Sequence, residues 1–265
     1  MKALAALPAA ALRDMRGVFC DIDDTLTSEG KLTARAYAAL ERLHAAGKLV
    51  VPITGRPAGW CDHIARMWPV DAVVGENGAF YFYYDGARRK LVQRFLFDAQ
   101  TRAANREKMI AVRERILREV PGCALASDQH YREADLAIDF CEDVPRLPFD
   151  AVDRIVALMR AAGMTAKISS IHVNGWFGDY DKLGMTRTLM QERYGIDLAR
   201  AQAHYLFVGD SPNDEPMFRF FSNAVGVANV ADFGARLSDA PAYVTTARSG
   251  AGFVEIAELL LAAGG

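Results

Sequence analysis

The sequence predicts an α/β protein: a parallel sheet covered by helices and interrupted once by a separate α+β segment. Two observations favour this class. Short apolar strands alternate with helical segments near both ends of the chain, as in parallel sheets. Between them, strands and helices are grouped differently, which indicates an inserted domain. We expect a Rossmann-like core at residues 1–83 and 179–265 and an insert at residues 84–178.

The first core segment is predicted as strand, helix, strand, helix and strand. The opening strand is the apolar run Val18-Phe-Cys20, and Thr33 and Gly47 are typical of the start and end of the helix that follows. The five predicted elements lie at residues 18–20, 32–46, 49–53, 57–67 and 72–75.

The predicted insert begins with a β-hairpin around Asp85-Gly86 and continues with a charged helix, a strand, a helix and a strand. Alternation along that last strand places Ser170, His172 and Asn174 on one face. They could contact a hydroxylated substrate or form the wet face of a half-buried sheet. The elements are predicted at residues 80–84, 91–97, 98–120, 134–140, 149–162 and 166–177.

Two other features of the insert are interpreted more simply. Arg132 could bind a second anionic group, but a single loop arginine is more typical of the surface. Trp176 and Phe177 favour packing.

The last core segment resumes the alternation of helix and strand. Its predicted elements are a helix over residues 182–194, a strand over 205–208, a helix ending near 220, strands at 224–227 and 243–245, a short helix near 233 and a final helix over 252–262.

Composition restricts the classes of function. The net charge of −2 over 265 residues gives no basic field for nucleic acid or an anionic membrane. No apolar run approaches the ~20 residues that span a bilayer, and the apolar start of the chain is interrupted by Pro8. Four widely spaced cysteines favour free thiols in a reducing compartment. We expect a cytoplasmic monomer or homodimer.

Asp21 and Asp23 follow the first core strand directly. On an extended backbone residues i and i+2 face the same side, so these two carboxylates converge while Asp24 points away. Converging buried carboxylates are costly unless a cation or a reaction needs them. The alternative is an acidic turn.

Two further strands end in polar residues, namely Thr54-Gly55-Arg56 and the segment from Asp210 to Asp214. In a parallel sheet these ends meet the first one at a single edge, where ligands bind. The second acidic segment indicates a magnesium site, since Mg²⁺ prefers a few carboxylates plus water and phosphate oxygens. Thr54 can donate to a phosphate oxygen, and Lys182, at a helix start, can supply positive charge. Each motif alone could be a turn or solvated surface; their common order and placement favour a site.

Together these motifs resemble the haloacid dehalogenase superfamily of phosphatases. The resemblance rests on Asp21-Ile-Asp-Asp-Thr25, Thr54-Gly-Arg56, Lys182 and Gly209-Asp-Ser-Pro-Asn-Asp214. The insert and Glu76-Asn-Gly-Ala79 resemble the subgroup with a large α/β cap, which includes sucrose-, trehalose- and mannosylglycerate-phosphate phosphatases and phosphomannomutases. Many relatives have Lys-Gly where this chain has Lys182-Leu-Gly, which leaves Lys167 as a distant alternative.

The resemblance implies Mg²⁺-dependent phosphomonoester hydrolysis through an aspartyl-phosphate. Asp21 is implied as nucleophile and Asp23 as acid and base. The implied metal ligands are Asp21, the Asp23 backbone carbonyl and Asp210. Other implied roles are phosphate binding by Thr54, Gly55, Arg56, Lys182 and Asn213, and support from Ser211 and Asp214.

The substrate class is expected to be a small phosphorylated metabolite, either a sugar phosphate or a phosphorylated acid. Two other functions stay open: a phosphomutase or phosphotransferase of the same superfamily, and a non-catalytic phosphate or magnesium sensor. The sensor is disfavoured because a binder needs no acid/base residue at position 23.

Overall fold

A computed structural model describes residues 1–264. Its centre is a six-stranded sheet in which all neighbouring strands are parallel, in the order β1-β15-β14-β13-β2-β5. The predicted α/β class with a parallel central sheet is therefore confirmed. The strands are β1 Lys2–Ala3, β2 Gly17–Cys20, β3 Thr27–Ser28, β4 Lys31–Leu32, β5 Leu49–Pro52, β6 Val73–Gly75, β7 Phe80–Asp85, β8 Lys90–Phe95, β9 Ala124–Leu125, β10 Asp135–Asp139, β11 Thr165–Ile168, β12 His172–Trp176, β13 Tyr205–Gly209, β14 Ala224–Gly226 and β15 Tyr243–Val244.

Helices cover both faces of the sheet, as the alternation of elements predicts. Thr33 caps the first long helix by accepting a hydrogen bond from the Ala36 N–H at 3.3 Å. Gly195, in a left-handed conformation, ends the helix that begins at Lys182. The helices are α1 Ala9–Arg13, α2 Ala34–Ala45, α3 Ala58–Met67, α4 Ala99–Glu119, α5 Phe149–Ala161, α6 Lys182–Tyr194, α7 Leu198–Ala201, α8 Glu215–Phe220 and α9 Ser249–Ala263.

A second, antiparallel sheet has the order β11-β12-β10-β9, and helices α4 and α5 pack against it. The prediction of one strand over residues 166–177 is wrong. The segment is a hairpin in which Ser169 N–H donates to the His172 carbonyl at 2.9 Å, so Ser170 lies in the turn. Trp176 is buried and stacks on Tyr180, in agreement with its predicted packing role.

The β7–β8 hairpin joins the core rather than the second sheet. Strand β7 pairs with β6, and an isolated parallel bridge between Ile53 and Val74 links β6 to the central sheet. Phe97, after β8, and Tyr180, before α6, touch edge to face with ring centroids 6.0 Å apart.

The state of the cysteines and the apolar character of the helices can be compared with the sequence predictions. All four cysteines within residues 1–264 are free. No helix of that range is long and apolar enough to cross a membrane.

Candidate active site

The three polar strand ends meet at the carboxyl edge of the central sheet. Asp21 follows β2, Thr54 follows β5 and Asp210 follows β13, and these three strands are direct neighbours with β2 in the middle. All three side chains are buried. The register of the parallel strands therefore brings Asp21 between the hydroxyl of Thr54 and the carboxylate of Asp210.

Lys182 lies at the first turn of α6 and is also buried. Its Nζ is 3.1 Å from Asp21 Oδ1 and 2.7 Å from Asp214 Oδ1. Burial opposes its charge, but the two carboxylates hold the pKa of Lys182 above its ordinary value. The alternative, Lys167, lies in β11 of the second sheet, opposite Asn174.

Asp214 holds this lysine in place. Its second oxygen, Oδ2, accepts hydrogen bonds from the backbone N–H groups of Asp210 at 3.0 Å and Ser211 at 3.3 Å. This arrangement is a capping box at the turn after β13. The loop that presents Asp210 is therefore fixed by the same carboxylate that orients Lys182.

Ser211 and Asn213 extend a polar chain toward the Thr54 loop. Ser211 Oγ donates to Asn213 Oδ1 at 2.8 Å, and Asn213 Nδ2 donates to Asn77 Oδ1 at 3.1 Å. The Nδ2 of Asn77 is buried and has no acceptor among the described atoms. Beside it, Gly55 leaves room that a Cβ would take, because that atom would lie 3.1 Å from Asn77 Nδ2.

The donor set of the buried carboxylates fits a hard divalent cation. Single oxygens of Asp21, Asp210 and Asp214 lie within 4.8 Å of one another. Burial raises the pKa of Asp21 to about 7, although Lys182 lowers it. Burial and then the charges of Asp21 and Asp214 raise the pKa of Asp210 well above its ordinary value. One lysine thus faces three carboxylates, an excess of negative charge that a cation such as Mg²⁺ would relieve.

Asp23 is separated from this cluster. Its carboxylate pairs with Arg56, whose Nε lies 3.0 Å from both carboxylate oxygens and whose Nη2 lies 2.8 Å from Oδ1. Asp24 takes a third environment: its backbone has a φ of 53°, and it lines a cavity of about 520 Å³ with Arg146 and Arg248.

Arg56 also contacts two carboxylates in the segments on either side of β10, a strand of the second sheet. Its Nη2 is 2.6 Å from Glu142 Oε1, and its Nη1 is 3.2 Å from Asp128 Oδ2. Glu142 also meets His172, with 2.9 Å between Oε2 and Nε2. The predicted phosphate-binding arginine is thus surrounded by three carboxylates.

The expectation that Arg132 lies on the surface is wrong. The side chain is buried because it pairs with Asp128 at 3.1 Å and Asp135 at 3.0 Å, and it donates to the Gly55 carbonyl at 2.8 Å. It therefore supports the loop after β5. The only local sign of these ion pairs in the sequence is that the two aspartates lie four and three positions away from Arg132.

Two more supporting residues have no strong sequence signal. Asn229 donates to Asp210 Oδ2 at 3.0 Å and to the Asp24 carbonyl at 3.0 Å. Glu76 accepts hydrogen bonds from the N–H groups of Ala58, Glu133 and Ala134, so it ties the loop after β6 to α3 and to the segment that leads into β10. Of these two residues, only Glu76 has a local signal in the sequence, the motif Glu76-Asn-Gly. All three residues of that motif have a positive φ.

Comparison with known proteins gives concordant matches. Residues 18–101 match the model of the haloacid dehalogenase-like hydrolases. The chain is 27% identical to a phosphoglycolate phosphatase of Methanospirillum hungatei JF-1, covering 91% of this chain and 95% of that protein. It is 26% identical to a phosphoglycolate phosphatase of Archaeoglobus fulgidus, covering 92% and 96%.

Solved structures share the fold along nearly the whole chain. The structure of Thermoplasma acidophilum 0175 matches with a TM-score of 0.69 at 20% identity, covering 92% of this chain and 99% of that one. The sucrose-phosphatase of Synechocystis sp. PCC6803, in complex with sucrose and phosphate, matches at 0.63 and 16%, covering 93% and 98%. The C-terminal domain of the C. albicans trehalose-6-phosphate phosphatase matches at 0.70 and 15%, covering 98% of both.

Proposed function

We propose that this chain, a phosphatase of the haloacid dehalogenase type by its matches, hydrolyses small phosphomonoesters through a phosphoryl group carried on Asp21. The observation that carries the proposal is the contact between Asp21 and Lys182 at 3.1 Å, beside a separately held Asp23. A nucleophile and an acid/base group need different environments, and these two carboxylates have them.

We propose that Mg²⁺ binds Asp21, Asp210 and the backbone carbonyl of Asp23. The cation would neutralise charge between the anionic nucleophile and the anionic phosphate. Asp214 is a less suitable ligand, although it belongs to the acidic cluster, because Lys182 and two backbone N–H groups already use its oxygens.

In the first step, an oxygen of Asp21 attacks phosphorus, and the bond from phosphorus to the leaving alcohol breaks. Asp23 gives its proton to the alcohol oxygen. In the second step, water attacks the same phosphorus, Asp23 takes the proton back, and inorganic phosphate leaves Asp21. Thr54, Gly55, Lys182 and Asn213 hold the phosphate oxygens throughout.

We also propose that residues 98–178 form the cap that closes over this edge. We put its start after the β7–β8 hairpin instead of at the predicted residue 84, because that hairpin pairs with core strand β6. Glu142, Asp128 and His172 of this segment lie against Arg56 of the core. A closed cap excludes water and selects the leaving group. A cytoplasmic location, a monomeric or homodimeric state and the absence of nucleic-acid and membrane partners stay predictions.

Two substrate classes are supported by different observations. The relatives named phosphoglycolate phosphatase, together with the arginine beside Asp23, favour a phosphorylated acid. The structural likeness to sucrose- and trehalose-phosphate phosphatases favours the sugar phosphate predicted from sequence. Transfer of the phosphoryl group to a second alcohol is the remaining alternative.

The test is a phosphate-release assay with phosphoglycolate, sucrose 6-phosphate, trehalose 6-phosphate and p-nitrophenyl phosphate. We expect turnover with Mg²⁺, loss of turnover with EDTA, and release of inorganic phosphate rather than a phosphorylated second alcohol. Asp21→Asn should be inactive, whereas the neighbouring Asp24→Asn should keep activity because the Asp24 carboxylate pairs with neither Lys182 nor Arg56. Full activity of Asp21→Asn would contradict the assignment.

A further inference from the structure

Glu142 occupies the outer side of the Arg56 guanidinium. The inner side, formed by Nε and Nη2, lies against Asp23, while Nη2 also reaches Glu142 Oε1 at 2.6 Å. Arg56 is buried and its guanidinium lies 4.3 Å over the ring of Trp60, so it cannot swing into solvent easily. One arginine therefore pairs with a core carboxylate, Asp23, and with two insert carboxylates, Glu142 and Asp128, at the same time.

The space in front of Asp21 is nearly filled in this arrangement. The cavity enclosed by Asp21, Asp23, Arg56, His172 and Asn213 has a volume of about 10 Å³. That volume holds about one water molecule and no phosphoryl group. Groups from the insert must therefore move when a phosphomonoester binds.

Of the two insert carboxylates that contact Arg56, Glu142 is the one that a ligand could replace more easily. Its side chain is 26% exposed, whereas that of Asp128 is 7% exposed and is held by Arg132. Glu142 is also ionised: burial would raise its pKa, but hydrogen bonds from His172 and Arg56 lower the pKa to about 2. In this arrangement Glu142 Oε2 also lies 2.9 Å from His172 Nε2.

We propose that Glu142 occupies the position of a substrate carboxylate, which replaces it on Arg56 when substrate binds. This inference rests on the function proposed above. Arg56 touches Asp23, which protonates the leaving oxygen, so a carboxylate on the carbon next to that oxygen falls within its reach. An uncharged sugar hydroxyl replaces an anion on a buried guanidinium poorly. The preferred substrate class is then a phosphorylated 2-hydroxy acid.

The experiment compares two esters that differ in one group. In 2-phosphoglycolate the leaving alcohol carries a carboxylate, and in 2-hydroxyethyl phosphate it carries a neutral hydroxymethyl group. For the wild-type enzyme with Mg²⁺ we expect kcat/KM to favour the acid on the order of 100-fold, as for a buried charge pair that loses one partner.

Two variants separate charge recognition from simple closure of the insert. Glu142→Gln weakens the competitor, so KM for phosphoglycolate should fall several-fold. Hydroxyethyl phosphate should gain nothing, because it has no carboxylate to replace Glu142 and leaves that residue on Arg56. Arg56→Lys should reduce the preference for the acid, because a lysine cannot bind two carboxylates in the same geometry. Glu133→Gln is the matched control, since Glu133 pairs with Arg102 and Arg106 away from Arg56.

Three outcomes decide the inference. A strong preference that increases in Glu142→Gln and falls in Arg56→Lys supports it. Equal use of both esters by the wild type, or an equal change for both esters in Glu142→Gln, overturns the inference and leaves the phosphatase function standing. Failure to hydrolyse either ester or p-nitrophenyl phosphate overturns both.

Discussion

Asp214→Asn tests the buried support of the site. In the wild type this carboxylate accepts a hydrogen bond from Lys182 at 2.7 Å and hydrogen bonds from the backbone N–H groups of Asp210 and Ser211. An asparagine amide has only one oxygen that accepts hydrogen bonds. Its NH₂ group, which is a donor, would therefore face either the Lys182 ammonium or the two backbone N–H donors. Breaking a buried ion pair on one side costs about 3–5 kcal/mol.

That loss is a large share of the about 5–15 kcal/mol that stabilises a folded protein. For a chain of this size it lowers Tm by roughly 6–20 °C. The assay is urea denaturation, with the free energy of unfolding extrapolated to water and compared at unchanged m value. Turnover should fall with stability, because Lys182 loses its fixed position.

The matched control is Asp153→Asn. Asp153 also pairs with a cation, in this case Arg236, through two contacts at 2.7 and 2.8 Å, but on the exposed surface. Exposed ion pairs contribute roughly 0–1 kcal/mol. If both variants lost less than about 1 kcal/mol, the reasoning that the buried carboxylate organises the site would be refuted.

Three further predictions follow from single contacts. Asp23→Asn should lower kcat by about 10²–10⁴-fold for alkyl phosphates; with p-nitrophenyl phosphate, whose leaving group needs no proton, the first release of p-nitrophenol should be slowed much less than steady-state turnover, which still needs Asp23 as base, and an equal loss in both phases would contradict the acid role. Glu142 has a lowered pKa, so its contribution to stability is present above the ordinary carboxyl range and is lost as pH falls toward about 2; the stability difference between wild type and Glu142→Gln should shrink between pH 5 and 3, and a constant difference would argue against the pairing. Gly78→Ala should destabilise strongly, since φ is +107° and a Cβ would lie 2.0 Å from the Asp181 carbonyl oxygen, whereas Gly86→Ala, in open space, should be nearly neutral in thermal unfolding.

The part of the fold that sequence predicts well depends on local pattern. Val18-Phe-Cys20 is apolar and is followed at once by Asp21, so both the strand and the polar end are visible in a few letters. The parallel topology then follows from short alternating elements, and it brings Thr54 and Asp210 to the same edge without further information.

The wrong prediction over residues 166–177 has a physical reason. The turn between β11 and β12 contains Ser169 and Ser170 with no glycine or proline, so no residue there requires a turn conformation. The hydroxyl of Ser169 stabilises it instead, accepting a hydrogen bond from the His172 N–H at 3.0 Å. Such side-chain bonds compete with an extended strand and are weak sequence signals.

The burial of charged residues around the site could not be predicted from pattern. Glu142 and Arg56 are separated by 86 positions in the chain, and neither has a neighbour that predicts the other. Burial of Arg132 depends on the Gly55 carbonyl as well as on two nearby carboxylates. Ion pairs of this kind are set by tertiary packing, which periodicity does not report.

The central claim is that Asp21 carries the phosphoryl group. The most direct measurement is acid quench of the enzyme during turnover of phosphoglycolate or p-nitrophenyl phosphate with Mg²⁺, followed by peptide mapping by mass spectrometry. We predict the added mass of one phosphoryl group on the peptide that contains Asp21, located to that residue and missing in Asp21→Asn. Turnover by an enzyme that carries no phosphoryl group at Asp21 at any quench time, or carries it on Asp23 or Asp210 instead, would contradict the account.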